Sequence, residues 1–318
     1  MLSDIISSER VRFVIAFTLS CIGLYAVIQA LPPSFTRPID EHVAATLGLV
    51  LNAFGMHVST LNDIVSEGGL AFKIIPECTP LFTVGLFICF IVFYPATLRQ
   101  KAVGLAMGIP ALYLGNLFRL AATFMVSRYD RRFFEVVHVY LGQVFTILLL
   151  VISCFLWLKW LNRVESKQGV SMRVAGFLAR FVLISGCLFL VWMKVQYWYI
   201  WLLDRFMVFG FSLFNYNIGL ANNTAVYYET FSIVTLISLA FASRSVSLST
   251  KIKGLCGGLT LLFSIHLFHR IDNALIAYFS LTSALVVDLT LLLFGQYLVP
   301  VLFLLFLVYH DDQRKSHV

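Results

Sequence analysis

Runs of about 17 to 25 apolar residues recur along this chain, and they fix what it can fold into, because a helix of that length spans the hydrocarbon core of a bilayer. They lie near residues 12–31, 80–97, 102–126, 137–158, 175–193, 226–243, 253–268 and 284–309, with a further stretch, 199–214, that either spans or lies in the interface. With 60% hydrophobic and 12% charged residues over 318 positions, the apolar surface is too large for one soluble globule. The predicted fold is all-α, a polytopic integral membrane bundle of about eight transmembrane helices. No soluble domain of any size remains. The first run follows Arg10 and Arg12, is too long for a signal-peptide core and lacks a small-x-small cleavage site, so it reads as a retained anchor.

Charge sets the orientation. If the N terminus is inside, thirteen basic residues fall in cytoplasmic segments (among them Arg10, Arg12, Arg99, Lys101, Lys159, Arg163 and Arg314) against eight in outer ones, although Arg128, Arg131 and Arg132 pull the other way. Both termini are therefore expected in the cytoplasm. The net charge of +7 reads as membrane topology, and without a soluble basic domain nucleic-acid binding is not expected.

Between the first two spans runs a long outer segment, 32–79. Its apolar stretch 43–55 is too short to span and is predicted to be an interfacial helix. Residues 57–75 pair strand formers, Val58 with Ile64-Val65 and Leu70 to Ile75, around Gly68-Gly69, which predicts a small hairpin over the membrane surface. The second arm leads into Pro76-Glu77-Cys78-Thr79-Pro80. There Thr79 suits an N-cap and Pro80 a first helical position, so Cys78 precedes the cap of the second span. A helix N terminus favours a thiolate, whereas the plain reading is a lone thiol at a helix start. The other cysteines, Cys21, Cys89, Cys154, Cys187 and Cys256, show no paired or metal-type spacing and read mostly as packing residues. No metal and no organic cofactor is expected.

Two further residues stand out. Arg119 lies about seven residues short of the outer end of the third span, about 10 Å deep, where a cation is costly unless it pairs or lines a wet cavity. Asn116, three residues earlier, shares its helix face. The plain alternative is an Arg119 that snorkels to headgroups or pairs with Glu77 to hold helices together. His138 opens the fourth span from the outside, where a solitary histidine is more often an interface residue than a base. If the spans alternate in direction, Cys78, Arg119 and His138 share one membrane face, a convergence that chance would scatter.

The second half reads as a faded copy of the first. A shift of 150 positions places Lys101 on Lys251, Gly104 on Gly254, Gly108 on Gly258 and Asn116-Leu117-Phe118-Arg119 on His266-Leu267-Phe268-His269; a slightly larger one places Gly142-Gln143 on Gly295-Gln296 and Glu77-Cys78 on Glu229-Thr230. The copy has no thiol at that place. The expected domains are 1–162, catalytic, and 163–318, a transmembrane scaffold or docking half.

At Glu77-Cys78-Thr79, Asn116-Leu117-Phe118-Arg119 and His138 the chain resembles the exosortase/archaeosortase family of integral membrane transpeptidases, over roughly residues 10–162. The resemblance implies Cys78 as nucleophile, His138 as general base and acid, and Arg119 as the residue that stabilises an oxyanion or grips a carboxylate; Glu77 and Asn116 support them. It implies a cysteine protease/transpeptidase that cleaves secreted proteins at a C-terminal sorting signal, made of a short motif, a transmembrane helix and a basic tail. The cut is expected at the outer face of the cytoplasmic (inner) membrane, and the acyl group then passes to an acceptor such as a lipid or surface polymer. Pro80 departs from the family, which usually has Gly there. The rival readings are a transporter lined by Arg119, a membrane acyltransferase that needs no thiol, and a degenerate member that only binds sorting signals.

Overall fold

The computed structural model describes residues 9–130, 134–161, 168–216, 218, 230–244, 246–281, 284–304 and 306–307. It is a helical membrane bundle. The chain divides into two compact units, Met1–Glu165 and Ser166–Val318. Among the described residues five helical segments are long and apolar enough to cross a membrane (Arg12–Ala30, Leu98–Tyr129, Ala175–Ser212, Leu248–Phe279 and Leu285–Leu304), and three shorter apolar helices accompany them.

In the first unit, helix α1 (Glu9–Ala30) runs antiparallel to α3 (Leu81–Phe93). Rings mark the pairing at both ends, Tyr25 against Phe82 and Phe13 against Phe90 and Tyr94. Helix α4 (Leu98–Tyr129) starts with a capping box, in which Thr97 Oγ1 accepts from the Gln100 backbone N–H while the Gln100 side chain accepts from the Thr97 N–H. Small residues let its neighbours close on it: Gly108 lies under the Phe87 ring and Gly104 under Trp157, whose indole N–H donates to the Gln100 carbonyl at 3.1 Å. The fourth predicted span, 137–158, is composite. It consists of α5 (Phe134–Tyr140), a π-helical turn (Leu141–Phe145) and α6 (Thr146–Leu161).

The segment between the first two predicted spans is more ordered than the sequence suggested. The helix expected there, α2, begins at Pro33 and runs to Ala53. It therefore starts ten residues before the expected 43, because Pro33 suits a first turn and Pro38 sits close enough to the exposed start for solvent to take over the carbonyl it leaves. One face of α2, Asp40, Val43, Ala44, Leu47, Gly48 and Leu51, is buried. The expected hairpin is a three-stranded antiparallel sheet, β1 (Ser59–Leu61), β2 (Ile64–Glu67) and β3 (Leu70–Lys73), in that order. The Gly68-Gly69 turn joins β2 to β3 with both residues left-handed, φ 55° and 80°. The additional strand depends on Asn62, whose φ of 53° turns the chain back at a residue type that tolerates it.

Under the sheet lies one apolar cluster that joins Val43, Ala44, Leu47 and Leu51 of α2, Val65 and Ile74 around the sheet, Cys78, and Leu117, Leu120, Ala121 and Phe124 of α4. Arg128 at the end of α4 pairs with Glu67 of β2 at 3.1 Å. The sheet is thus held both to α2 and to the C-terminal end of α4.

The second unit contains α7 (Gln168–Ser212), α8 (Ser232–Ala242), α9 (Leu248–Phe279) and α10 (Ala284–Leu293), followed by a second π-helical turn, Phe294–Leu298. The stretches 175–193 and 199–214, predicted as separate, fall on the single helix α7. Its 45 residues make about 68 Å at about 1.5 Å per residue, twice the hydrocarbon thickness of about 30 Å. Helices α4 and α9 are each 32 residues long, each opened by a hydroxyl cap, Thr97 or Ser247. As Gly108 underlies Phe87, Gly258 underlies Leu236. The predicted match at Glu229, the start of the 226–243 run and the basic residues Arg131, Arg132, Arg163, Lys167, Arg314 and Lys315 lie outside the described residues.

Candidate functional site

The sequence expectation that Thr79 caps the second span and Pro80 opens it is shifted by one residue. Pro76–Cys78 form a 3-10 turn, and α3 begins at Leu81 with Pro80 as its cap. Thr79 joins the two: its hydroxyl donates to the Pro76 carbonyl at 2.7 Å and accepts from the Leu81 N–H at 3.3 Å. Cys78 is thereby turned inward, 8% exposed, while Glu77 faces solvent.

Two side chains from α4 reach this turn. Asn116 Nδ2 and an Arg119 terminal nitrogen each donate to the Cys78 carbonyl oxygen at 2.9 Å. Their spacing of three residues puts both on one helix face. That face was legible in the sequence, but its target is the backbone of Cys78 rather than the sulfur. Arg119 is 5% exposed, and its Nε is buried without a hydrogen-bond partner. Among the described residues no carboxylate forms an ion pair with it, and Glu77, the partner considered from sequence, is exposed.

His138 sits on α5, half-buried, its ring stacked on Phe134 at 5.0 Å. Phe134 in turn packs on Phe72 of β3 at 5.2 Å, and Phe72 on Phe124 of α4 at 5.0 Å. This aromatic chain ties the His138 helix to the sheet and to the helix that carries Arg119. One turn beyond His138, the π-helical turn brings Gly142 against Arg119: a Cβ there would stand 3.4 Å from a guanidinium nitrogen. The geometry therefore joins Cys78, Asn116 and Arg119 by hydrogen bonds, and brings the His138 helix to Arg119 through Gly142.

Burial pushes the Cys78 thiol up from its ordinary value; the Arg119 guanidinium and a backbone hydrogen bond at Ile75 oppose it, and the carboxylates Glu77 and Asp40 add to it. The helix-terminus argument anticipated a favoured thiolate. It is overturned because Cys78 lies inside the apolar cluster and three residues ahead of the start of α3 at Leu81.

Asp40 was not singled out from sequence. It is 7% exposed, its Oδ1 is buried without a hydrogen-bond partner, and it opens the buried face of α2 that packs on the Cys78 turn. The spacing Asp40-Val43-Ala44-Leu47-Leu51 carries the signal, an acid on the apolar stripe of a helix. Gly142 was noted in the sequence only as part of the repeat. Among the described residues no group of three or more His, Cys, Asp or Glu is arranged to hold a metal ion.

In the second unit, the positions matched to Asn116 and Arg119 hold His266 and His269, both buried. Tyr199 OH lies 2.9 Å from His266 Nδ1 and Ser232 Oγ 3.3 Å from its Nε2. His269 is hydrogen-bonded through Nδ1 to Asp288 and through Nε2 to Asn273 at 3.0 Å. Arg270 pairs with Asp204, Nε to Oδ1 at 2.7 Å.

A family model described as transmembrane exosortase matches residues 5–154. No curated protein and no solved structure matches the chain.

Proposed function

Residues 5–154 belong to the transmembrane exosortase family, and from that premise we propose that this multi-pass membrane protein is a cysteine transpeptidase that cleaves the C-terminal sorting signal of secreted proteins. Cys78 is the nucleophile, Arg119 the stabiliser of developing negative charge and His138 the proton carrier. The observation that carries the reading is the state of Arg119. A buried guanidinium whose Nε–H has no partner, held 2.9 Å from the Cys78 carbonyl, lacks an anion beside the thiol. Leaving such a donor unsatisfied costs about 1–3 kcal/mol or more, and a tetrahedral oxyanion formed at Cys78 would satisfy it.

In this mechanism the thiol proton passes to His138 as Sγ attacks the scissile carbonyl. The C–S bond forms, and the carbonyl electrons move to the oxygen facing Arg119. Collapse of that intermediate breaks the C–N bond, and His138 returns the proton to the leaving amine. An acceptor nucleophile then attacks the thioester and gives its own proton to His138; the C–S bond breaks, and His138 passes that proton to the departing Cys78 sulfur. Because burial raises the thiol, ionisation is coupled to the arrival of a substrate. Asn116 keeps the Cys78 turn in place throughout. The site faces the outside of the cytoplasmic membrane, both termini lie inside, and the acceptor is a lipid or surface polymer. The second unit, 166–318, is a degenerate repeat that serves as scaffold or docking half; its matching helix lengths, caps and π-helical turns support this.

The test is processing of a co-expressed secreted protein with a C-terminal sorting signal, comparing wild type with Cys78→Ala and Cys78→Ser at matched membrane levels. Loss of the size shift in both, with a thioester trapped in wild type, is the expected result. Undiminished processing by Cys78→Ala refutes the nucleophile and leaves the acyltransferase and transporter readings.

A further inference from the structure

The mechanism above leaves one buried group beside the thiol unused. Asp40 is nine-tenths buried at the start of the α2 face that packs on the Cys78 turn, and its Oδ1 is enclosed without any hydrogen-bond donor. A carboxyl oxygen in that condition is costly to keep. Its surroundings are acidic. Glu41 on its own helix, Asp63 at the β1–β2 turn and Glu77 on the Cys78 turn all act on it electrostatically, and Lys73 of β3 is the opposing cation. Lys73 and Arg37 do not neutralise it: Lys73 is engaged with Asp63 at 3.8 Å, and Arg37 with Glu41 at 2.9 Å. Helix α4 brings Arg119 to the same turn, but Arg119 is directed at the Cys78 carbonyl. Cys78 therefore stands between a guanidinium and a group of carboxylates.

We propose that Asp40 is a substrate-binding residue of the Cys78 site, whose unpartnered Oδ1 receives an N–H donor of the incoming peptide and, with Glu77 and Asp63, gives cationic and N–H-rich peptide segments preferred access to the thiol. The arrangement divides the work: Arg119 meets the charge that appears on the reacting carbonyl, and Asp40 holds the peptide beside it. Burial and the neighbouring acids push the Asp40 carboxyl up to about 6, so the preference weakens as pH falls through that value.

The inference rests on Cys78 as the reacting thiol, but its test does not depend on turnover. The full-length protein in membranes is treated with two methanethiosulfonate reagents of similar size, one carrying trimethylammonium and one sulfonate. Cys78→Ala supplies the background from the other five cysteines. The ratio of the two rates at Cys78 reads the local charge, because the thiolate fraction cancels. One elementary charge at about 7 Å through water is worth about RT, so Asp40→Asn lowers the cation-to-anion ratio about sevenfold at pH 7.5. Asp40→Glu keeps the ratio. Lowering the pH from 7.5 to 5 lowers it in the wild type and leaves it unchanged in Asp40→Asn, a readout that a merely structural role would not move. Equal ratios in wild type and Asp40→Asn, an anionic preference in the wild type, or no reaction of Cys78 with the cationic reagent each overturns the proposal. Failure of processing with these ratios intact would instead count against the proposed reaction.

Discussion

The two units place buried basic groups at matched positions and treat them in opposite ways. In the first, Arg119 is buried with one nitrogen on a backbone carbonyl and another without a partner. In the second, the matched His269, a base rather than a fixed charge, is closed by Asp288 and Asn273, and the charge of Arg270 beside it by Asp204. A cation inside a membrane helix is expensive wherever it sits, so depth alone does not separate function from structure. What separates them is whether the protein itself supplies the counter-charge. The second unit supplies partners to His269 and Arg270; the first leaves Nε of Arg119 open, which is the condition for binding something that arrives from outside.

The largest expected effect tests the closed side. Arg270→Ala strips Asp204 of its partner and should destabilise the second unit by about 3–5 kcal/mol, while replacing both with apolar residues of similar volume should be close to neutral. Thermal unfolding in detergent measures both. If Arg270→Ala unfolds no earlier than wild type, the pair is not structural and the contrast fails.

Next comes the open side. Arg119→Ala should lower processing of a sorting-signal substrate about 10²–10³-fold, the usual cost of one lost oxyanion donor, with little loss of thermal stability because no partner is orphaned. Strong destabilisation with normal turnover would make Arg119 a structural residue like Arg270.

A smaller effect probes the likeness between the units. Gly108→Ala drives a methyl into the Phe87 ring, and Gly258→Ala brings one to 2.7 Å from Leu236; each should cost about 1–3 kcal/mol by overpacking. Only Gly108→Ala should also reduce processing, since α4 carries Asn116 and Arg119.

The smallest effect is the pH response of Asp40. Its carboxyl stands at about 6 in the fold against 3.8 as a free group, so the folded state holds the proton more tightly. That contribution to stability is complete below about pH 4 and is lost as pH rises through 6. Asp40→Asn should remove this slope between pH 4 and 6 and be the more stable protein at pH 7.5, by a few degrees in Tm.

The membrane bundle was legible because apolar runs have no other way to fold, and Arg119 was legible because a lone cation in such a run is conspicuous. Asn116 was found through its helix spacing from Arg119 and through the resemblance. What spacing does not reveal is where a side chain lands on another element: that Arg119 and Asn116 converge on a carbonyl, and that Gly142 makes room for the guanidinium, are facts of tertiary packing. The thiol's environment was misjudged for the same reason, since a helix-start argument carries no information about burial. Asp40 was overlooked because the helix was expected from 43, whereas it begins at Pro33. The third strand turned on Asn62, whose left-handed backbone a propensity count does not register, and α7 was divided because span-length windows impose a length that a helix need not obey.

The paired hydrogen bonds on the Cys78 carbonyl also determine which part of the chain sets the position of the sulfur. The thiol precedes α3 in sequence, yet its turn is tethered to α4, thirty-eight residues away at Asn116. Inserting one residue into α4 ahead of Asn116 would rotate both donors about 100° around the helix axis and release the tether, while a comparable insertion in the middle of α3 would leave it intact. The rotational register of α4 is thus the gauge by which the Cys78 turn is set.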